Sequence, residues 1–291
     1  MEVVKKPKEM QTKAEEWRKS GLRIAFVPTM GYFHEGHLSL MREGKKRGDV
    51  LVVSIFVNPL QFGPSEDYAR YPRDLQRDLQ LAQKEGVDVV FAPEVEDMYG
   101  LNFQTFVEVT ELQKPLCGEK RPGHFKGVAT VVAKLFNIVK PHVAIFGLKD
   151  YQQYLIIKKM VEDLNMDIEI VGMPTVREKD GLAASSRNAY LNSEERKAAL
   201  CLFKGLSEAK KAFLAGEKDA NRLLKIARSV IESEPLVRLE YLELRDPDDL
   251  RPLEGEVERG LIALAAWVGN TRLIDNMLLG EDYRAEDHAE G

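Results

Sequence analysis

The sequence predicts an α/β protein: a Rossmann-like, doubly wound parallel sheet followed by a smaller C-terminal α+β domain. Three observations carry that expectation. Apolar runs and amphipathic stretches alternate through the first two-thirds of the 291 residues, the rhythm of a parallel sheet with crossover helices. The run at 50–57 is nearly all apolar, as a strand covered on both faces must be. The pattern then changes near residue 188, where charged helical stretches give way to alternating strands.

In order, 8–20 reads as an amphipathic helix with Met10, Ala14 and Trp17 on one face. A strand at 24–27 follows, then a helix to about Arg47, the strand at 50–57, and a long polar helix over about 67–85. Residues 87–92 form the next strand, and 104–109 alternate like an edge or inserted strand. A helix at 124–140, a strand at 142–147, a helix at 150–165 and a strand at 168–173 complete the sheet. Beyond 188, Ser193 is a candidate N-cap for helices at 194–215 and 218–233, before strands at 237–244, 261–268 and 272–275. The expected domains are 1–183, binding nucleotide and acid substrate, and 184–279, a small lid. A disordered acidic tail is expected over 280–291.

Composition narrows the function. The net charge of −5 argues against nucleic acid as a partner. No run of about eighteen apolar residues exists to span a membrane, and the N-terminal residues carry no apolar signal-peptide core. Cys117 and Cys201 match no metal-binding spacing and read as free thiols of a reducing cytoplasm.

The most informative segment is the end of the strand at 24–27 and the turn leading into the next helix: Pro28-Thr29-Met30-Gly31-Tyr32-Phe33-His34-Glu35-Gly36-His37. His34 and His37 are three apart, on one face of a helix's first turn. Unpaired N–H groups and the dipole make such a turn attractive to phosphate, and two imidazoles there can donate hydrogen bonds to a phosphoryl group gaining charge. Two satisfied histidines at a helix start would look the same.

Four more segments fall at strand ends or loops, where an α/β sheet holds its ligands. Asn58-Pro59-Leu60-Gln61 offers amides able to hold a small hydroxy acid, or is an ordinary Asn-Pro turn. The segment from Cys117 to Gly127, with Arg121 and His124, is a candidate anion loop or lid, or a solvated loop. In Gly147-Leu148-Lys149-Asp150, Lys149 would present a cation to phosphates, and Asp150 would bond a ribose hydroxyl or cap the helix. Gly181 to Asn188 places Ser185 and Ser186 beside Arg187, suited to phosphate in a loop able to close over ATP, or is a polar linker.

Taken together, the motifs resemble the pantoate–β-alanine ligase family of the nucleotidylyltransferase superfamily, over about 22–277. They are Pro-Thr-Met-Gly with His-Glu-Gly-His-Leu-Ser-Leu, Phe-Val-Asn-Pro with Gln-Phe-Gly, Tyr71-Pro72-Arg73, Arg-Pro-Gly-His-Phe, Lys149-Asp150 with Gln152-Gln153, Ser-Ser-Arg-Asn, and Trp267 to Asn276. The resemblance implies adenylation of pantoate by ATP, then attack by β-alanine, in a cytoplasmic homodimer. It implies that Met30, Gly31, Tyr32, Phe33, His34, Glu35, Gly36 and His37 bind ATP, with His34 on the phosphates and His37 as proton donor. Gly147, Leu148, Lys149, Asp150, Val176, Ala184, Ser185, Ser186 and Arg187 would also contact ATP. Of these, Lys149, Ser186 and Arg187 would neutralise the triphosphate. Gln61 and Gln153 would hold pantoate, with Asn58 nearby and Gln61 also facing β-alanine. Mg²⁺ would bridge phosphate oxygens, with Asp78 a water-mediated partner unless it only forms a surface ion pair with Arg73 or Arg77.

Two positions depart from the family pattern: Ala184 replaces the usual Met before Ser-Ser-Arg, and Leu148 replaces a polar residue. Neither is a reacting group. A different nucleotidylyltransferase or a tRNA synthetase fragment would call for a basic face. A silent ATP-binding module could dispense with His34, His37 or Lys149, and all three are present.

Overall fold

In a computed structural model that describes residues 1–280, the order of strands follows the expected alternation. The strands are β1 (Glu2–Val4), β2 (Ile24–Thr29), β3 (Val50–Ile55), β4 (Val89–Phe91), β5 (Val143–Gly147), β6 (Glu169–Met173), β7 (Val237–Arg245), β8 (Gly260–Val268) and β9 (Thr271–Leu279). The helices are α1 (Pro7–Lys19), α2 (Glu35–Arg47), α3 (Leu75–Lys84), α4 (Val95–Met98), α5 (Cys117–Lys120), α6 (His124–Val139), α7 (Tyr151–Asp163), α8 (Ser193–Ala198), α9 (Leu200–Leu214) and α10 (Ala220–Glu232). The tail expected beyond Gly280 lies outside the described residues.

The chain divides into two units. The first comprises Met1–Gln113, Gly118–Leu148 and Gln153–Met173; the second comprises Lys114–Cys117, Lys149–Gln152 and the chain from Pro174 onward. In the first unit six parallel strands run in the order β1-β4-β3-β2-β5-β6. From β2 the chain builds outward to β3 and β4, then returns to lay β5 on the other side. That reversal is the topological switch point, where open α/β sheets bind ligands beyond the strands' carboxyl ends.

Side-chain alternation on β2 explains why both faces are covered. Ala25 and Val27 join a core with Leu40 and Met41 of α2 and Ala82 of α3. Phe26, on the opposite face, meets Phe136 of α6 edge-on at 6.3 Å. In the second unit β7, β8 and β9 form an antiparallel sheet. Its inner residues, among them Leu242, Leu244, Ile262 and Leu264, bury against Leu202, Leu206 and Ala209 of α9 and Leu223 and Ala227 of α10. The β8–β9 hairpin turns through Gly269, whose φ of 55° suits the first position of a two-residue turn.

Several boundaries differ from expectation. The helix expected from about residue 67 begins only at Leu75, because Asp74 caps it by accepting the N–H of Arg77 and Pro72 leaves no α-helical route into it. Residues 104–109 form no strand and join neither sheet; the N–H of Val107 goes instead to the Thr130 hydroxyl. Asn192, not Ser193, is the N-cap of α8, in a reciprocal capping box with Glu195. The short edge strand β1 carries too few residues to show a pattern.

Candidate active site

The turn after β2 is held by groups distant in sequence. Gly31 and Tyr32 both have positive φ, 81° and 51°, a geometry disfavoured for the tyrosine by about 1–2 kcal/mol. The compensation comes from α3. Asp78 accepts the main-chain N–H of Tyr32 at 2.7 Å and of Phe33 at 2.8 Å. Arg77 donates to the Phe33 carbonyl at 3.0 Å, and its guanidinium lies 5.3 Å from the Tyr32 ring centre. Gly31 is required sterically as well: a Cβ there would sit 2.9 Å from Ile55 Cγ2 and 3.0 Å from Asp78 Oδ2. Thr29 links the strand ends, donating to the Ser54 carbonyl and accepting from the Gly31 N–H.

His34 is the N-cap of α2 and His37 its third residue. The Nδ1 of His34 accepts the N–H of Gly36 at 3.1 Å, and the Nδ1 of His37 accepts the N–H of His34 at 3.2 Å. Each Nδ1 therefore carries a lone pair, and in the neutral ring the proton belongs to Nε2. The rings lie 4.1 Å apart between centres. The result is a pair of oriented Nε2–H donors at a helix N-terminus, which suits an oxyanion.

Asp78, expected either near a metal or in a surface ion pair, is only 1% exposed. Burial pushes its carboxyl above the ordinary range, opposed by the two main-chain N–H bonds. Among the described residues no group of three or more His, Cys, Asp or Glu could hold a metal ion.

The segment after β3 forms a second polar cluster. Asn58 opens the 3₁₀ turn Pro59–Gln61, accepting the N–H of Leu60. Its Nδ2 donates to Gln61 Oε1 at 3.0 Å and to the Gly127 carbonyl at 3.1 Å, while Tyr99 donates to its Oδ1 at 2.7 Å. Gln61 Nε2 faces Met30 Sδ at 3.5 Å. His124 Nδ1 lies 2.8 Å from the Gln61 carbonyl, which accepts, so Nδ1 carries the proton and Nε2 faces an Arg121 N–H at 3.2 Å. Glu66 engages Arg121 at 2.9 Å. The segment expected as an anion loop thus has its cation already paired and braces the Gln61 turn. Gly127 permits this approach, since a Cβ there would lie 2.7 Å from Gln61 N.

Gly147 ends β5, and Leu148 is buried at 3% exposure, so an apolar side chain suits that position. Gln153, in the first unit, is half-buried, with no hydrogen-bond partner for its side chain among the described residues.

Lys149 and Asp150 belong to the second unit, with Lys149 Nζ 4.0 Å from Asp150 Oδ2. Asn276 of β9 donates to the Lys149 carbonyl at 2.9 Å. Gln152 donates to the Pro115 carbonyl and accepts the Cys117 N–H. Val176 and Ala184 come together through the Ala184 N–H, which bonds to the Val176 carbonyl at 2.9 Å. Ser185 caps the 3₁₀ turn Ser186–Tyr190 by accepting the Arg187 N–H. Leu182, Ala183, Ala184 and Ser186 are buried. Arg177 holds the base of this loop, paired with Asp275 at 2.7 and 2.8 Å and donating to the Gly181 carbonyl.

Sequence reasoning missed Tyr99, Arg177, the pairing of Asp275 with Arg177, and the clamping role of Asp78. The repeated Asp at 74 and 78 was visible, but neither burial nor its target could be read from it. Tyr99 stands in no motif.

A six-stranded parallel sheet whose β2–α2 turn sets two imidazoles at a helix N-terminus beside the switch point is the architecture of an α/β protein that holds its ligand at the carboxyl ends of the strands. The family profile described as pantoate-beta-alanine ligase matches residues 2–278, and the chain belongs to that family. It is 58% identical over 282 residues to the pantothenate synthetase of Syntrophus aciditrophicus (strain SB), covering 97% of this chain and 99% of that relative. It is 55% identical to the pantothenate synthetase of Geobacter sulfurreducens, covering 97% of this chain and 100% of that relative. Among solved structures, pantothenate synthetase from Thermus thermophilus superposes with a TM-score of 0.90 at 45% identity, covering 95% of this chain and 99% of that one. The pantoate-beta-alanine ligase of Francisella tularensis, complexed with beta-gamma ATP and beta-alanine, superposes with a TM-score of 0.78 at 36% identity, covering 96% and 97%.

Proposed function

We propose that this chain joins pantoate to β-alanine at the expense of ATP, forming pantothenate, AMP and pyrophosphate. A pantoate carboxylate oxygen attacks the α-phosphorus and the bond to pyrophosphate breaks. The β-alanine nitrogen then attacks the acyl carbon, the amide C–N bond forms, the bond to AMP breaks and the amine's proton leaves to solvent. The observation that carries the proposal is the paired Nε2–H orientation of His34 and His37, fixed by main-chain N–H groups. Preorganised donors of this kind stabilise charge as it develops.

The matching motifs assign Met30, Gly31, Tyr32, Phe33, Glu35 and Gly36 to the nucleotide with the two histidines, along with Gly147, Leu148, Asp150, Val176, Ala184 and Ser185. Lys149, Ser186 and Arg187 neutralise the triphosphate. Gln61, Gln153 and Asn58 serve pantoate, and Gln61 also β-alanine. Supporting this substrate set is the family relationship and the ligands of the Francisella relative. Magnesium fits as part of the nucleotide substrate, held on phosphate oxygens. The buried carboxylate of Asp78 has both oxygens on main-chain N–H groups, so it would reach such an ion only through water. We further propose a homodimer working in the cytoplasm. Two free cysteines and the absence, among the described residues, of a helix able to cross a membrane support that location.

Isotope exchange tests the order of steps. Labelled pyrophosphate should enter ATP when pantoate is present and β-alanine absent, whereas AMP release should require both acids. Exchange that strictly required β-alanine would overturn the two-step reading.

A further inference from the structure

Asn58 sits between four groups, two of which have fixed polarity. The Leu60 main-chain N–H can only donate, and it points at one end of the Asn58 amide at 3.3 Å. The Gly127 carbonyl can only accept, and it faces the other end at 3.1 Å. The Asn58 oxygen and nitrogen are therefore assigned by the backbone and cannot be exchanged. Everything further along the chain of bonds is then determined. The Tyr99 hydroxyl, 2.7 Å from Asn58 Oδ1, must donate. The Gln61 atom 3.0 Å from Asn58 Nδ2 must accept, so it is Oε1. That leaves Gln61 Nε2 on the side of Met30, whose thioether is a weak acceptor at 3.5 Å.

We infer that Asn58, fixed by the backbone and braced by the Tyr99 hydroxyl, is a positioning residue that sets the polarity of the Gln61 amide, so that Gln61 reads its acid ligand through N–H donors alone. This rests on the proposed function, in which Gln61 holds pantoate. The site then selects a ligand oxygen that accepts, a carboxylate or a hydroxyl lone pair, and rejects a ligand N–H in the same place. Tyr99 is suited to the task. Burial pushes its phenol well above the usual tyrosine range, so it remains a donor throughout the neutral and mildly alkaline range. The Gln61 main chain is fixed independently by His124, so the amide's polarity is separable from the position of its backbone.

The test combines neutron diffraction on crystals of the whole protein with steady-state kinetics. Nuclear density should place two deuterons on the Gln61 atom nearest Met30. Tyr99→Phe, which removes only the relay's first donor, should raise the pantoate KM roughly 5-fold and leave the ATP KM unchanged. Asn58→Asp keeps an acceptor for Leu60 and Tyr99 but, once ionised, cannot donate. It should turn the Gln61 amide over and raise the pantoate KM about 100-fold at neutral pH. That defect should shrink toward about pH 6 as the buried carboxyl takes up a proton and can donate again; a merely structural defect would show no such recovery. Deuterons on the atom facing Asn58 would overturn the inference. So would an unchanged pantoate KM in both variants, or equal rises for pantoate and ATP. If the wild-type protein made no pantothenate, the functional proposal would fail while the nuclear density still decided the polarity of Gln61.

Discussion

Asp78 accepts the main-chain N–H of Phe33 at 2.8 Å across 45 residues of sequence. This bond ties the first turn of α3 to the turn that carries the histidines. A carboxylate offers two acceptors to two N–H groups; an amide offers one acceptor and sets an NH₂ against the other. Asp78→Asn should therefore destabilise the fold by about 1–3 kcal/mol, measured by urea unfolding. The pH dependence has a definite sign. The folded-state carboxyl is raised by burial, so its contribution to stability is fully present below the unfolded value and is lost as pH rises through the folded one. The stability gap between wild type and Asp78→Asn should accordingly narrow as pH rises through and above the ordinary carboxylate range.

Gly31→Ala should be damaging for two reasons. Its φ of 81° disfavours an L side chain by about 1–2 kcal/mol, and the new methyl would press on Ile55 at 2.9 Å. A fall of at least about 2 kcal/mol in unfolding free energy is expected. A change under about 0.5 kcal/mol, as at ordinary surface sites, would show that the turn can relax.

His37→Ala should slow pantoyl-adenylate formation by about 3–4 kcal/mol of barrier while costing about 1 kcal/mol of fold stability through the lost cap. Single-turnover kinetics and thermal melting separate the two effects. Near-wild-type turnover would remove His37 from the chemistry.

Arg177 and Asp275 form a partly and a fully buried half of one ion pair, 18% and 4% exposed. Removing one partner leaves the other charged and desolvated. Arg177→Met alone should cost about 3–5 kcal/mol. The double variant Arg177→Met with Asp275→Leu should recover much of that loss, and a double-mutant cycle in denaturant measures the coupling. Strict additivity would mean that the pair contributes no mutual interaction.

Burial pushes the Cys201 thiol up to about 12. Little thiolate then exists near neutrality, and thiolate is the reactive form. Iodoacetamide at about pH 8, just below the ordinary thiol range, should label Cys201 slowly in the native protein and promptly after unfolding, as mass spectrometry of the peptides would show. Rapid native labelling would contradict a thiol held in its protonated form near neutrality.

Much of the sheet was legible because buried parallel strands leave long apolar runs: 24–27 and 50–57 could scarcely be anything else. The histidine turn was legible because its spacing is local. Helix starts were harder. The polar stretch before α3 carries helical periodicity but is cut short by Pro72 and the Asp74 cap. The segment at 104–109 alternates like a strand, yet alternation does not reveal whether a neighbour exists to pair with. Least legible were the long-range polar links. Asp78 to the Tyr32 turn, and Tyr99 to Asn58, depend on which loops meet in space, and neither leaves a pattern in the neighbouring residues.

The capping box of α2 carries one further implication. Enzymes commonly trade durability for activity, so that replacing a reactive side chain makes the protein more robust. Here each imidazole uses one nitrogen to close the helix, and in the proposed function the same two rings also serve the nucleotide. The usual compromise is absent from these two positions. A search for a hardier variant should leave His34 and His37 untouched, and drift that weakened the fold at this turn would silence the chemistry in the same step.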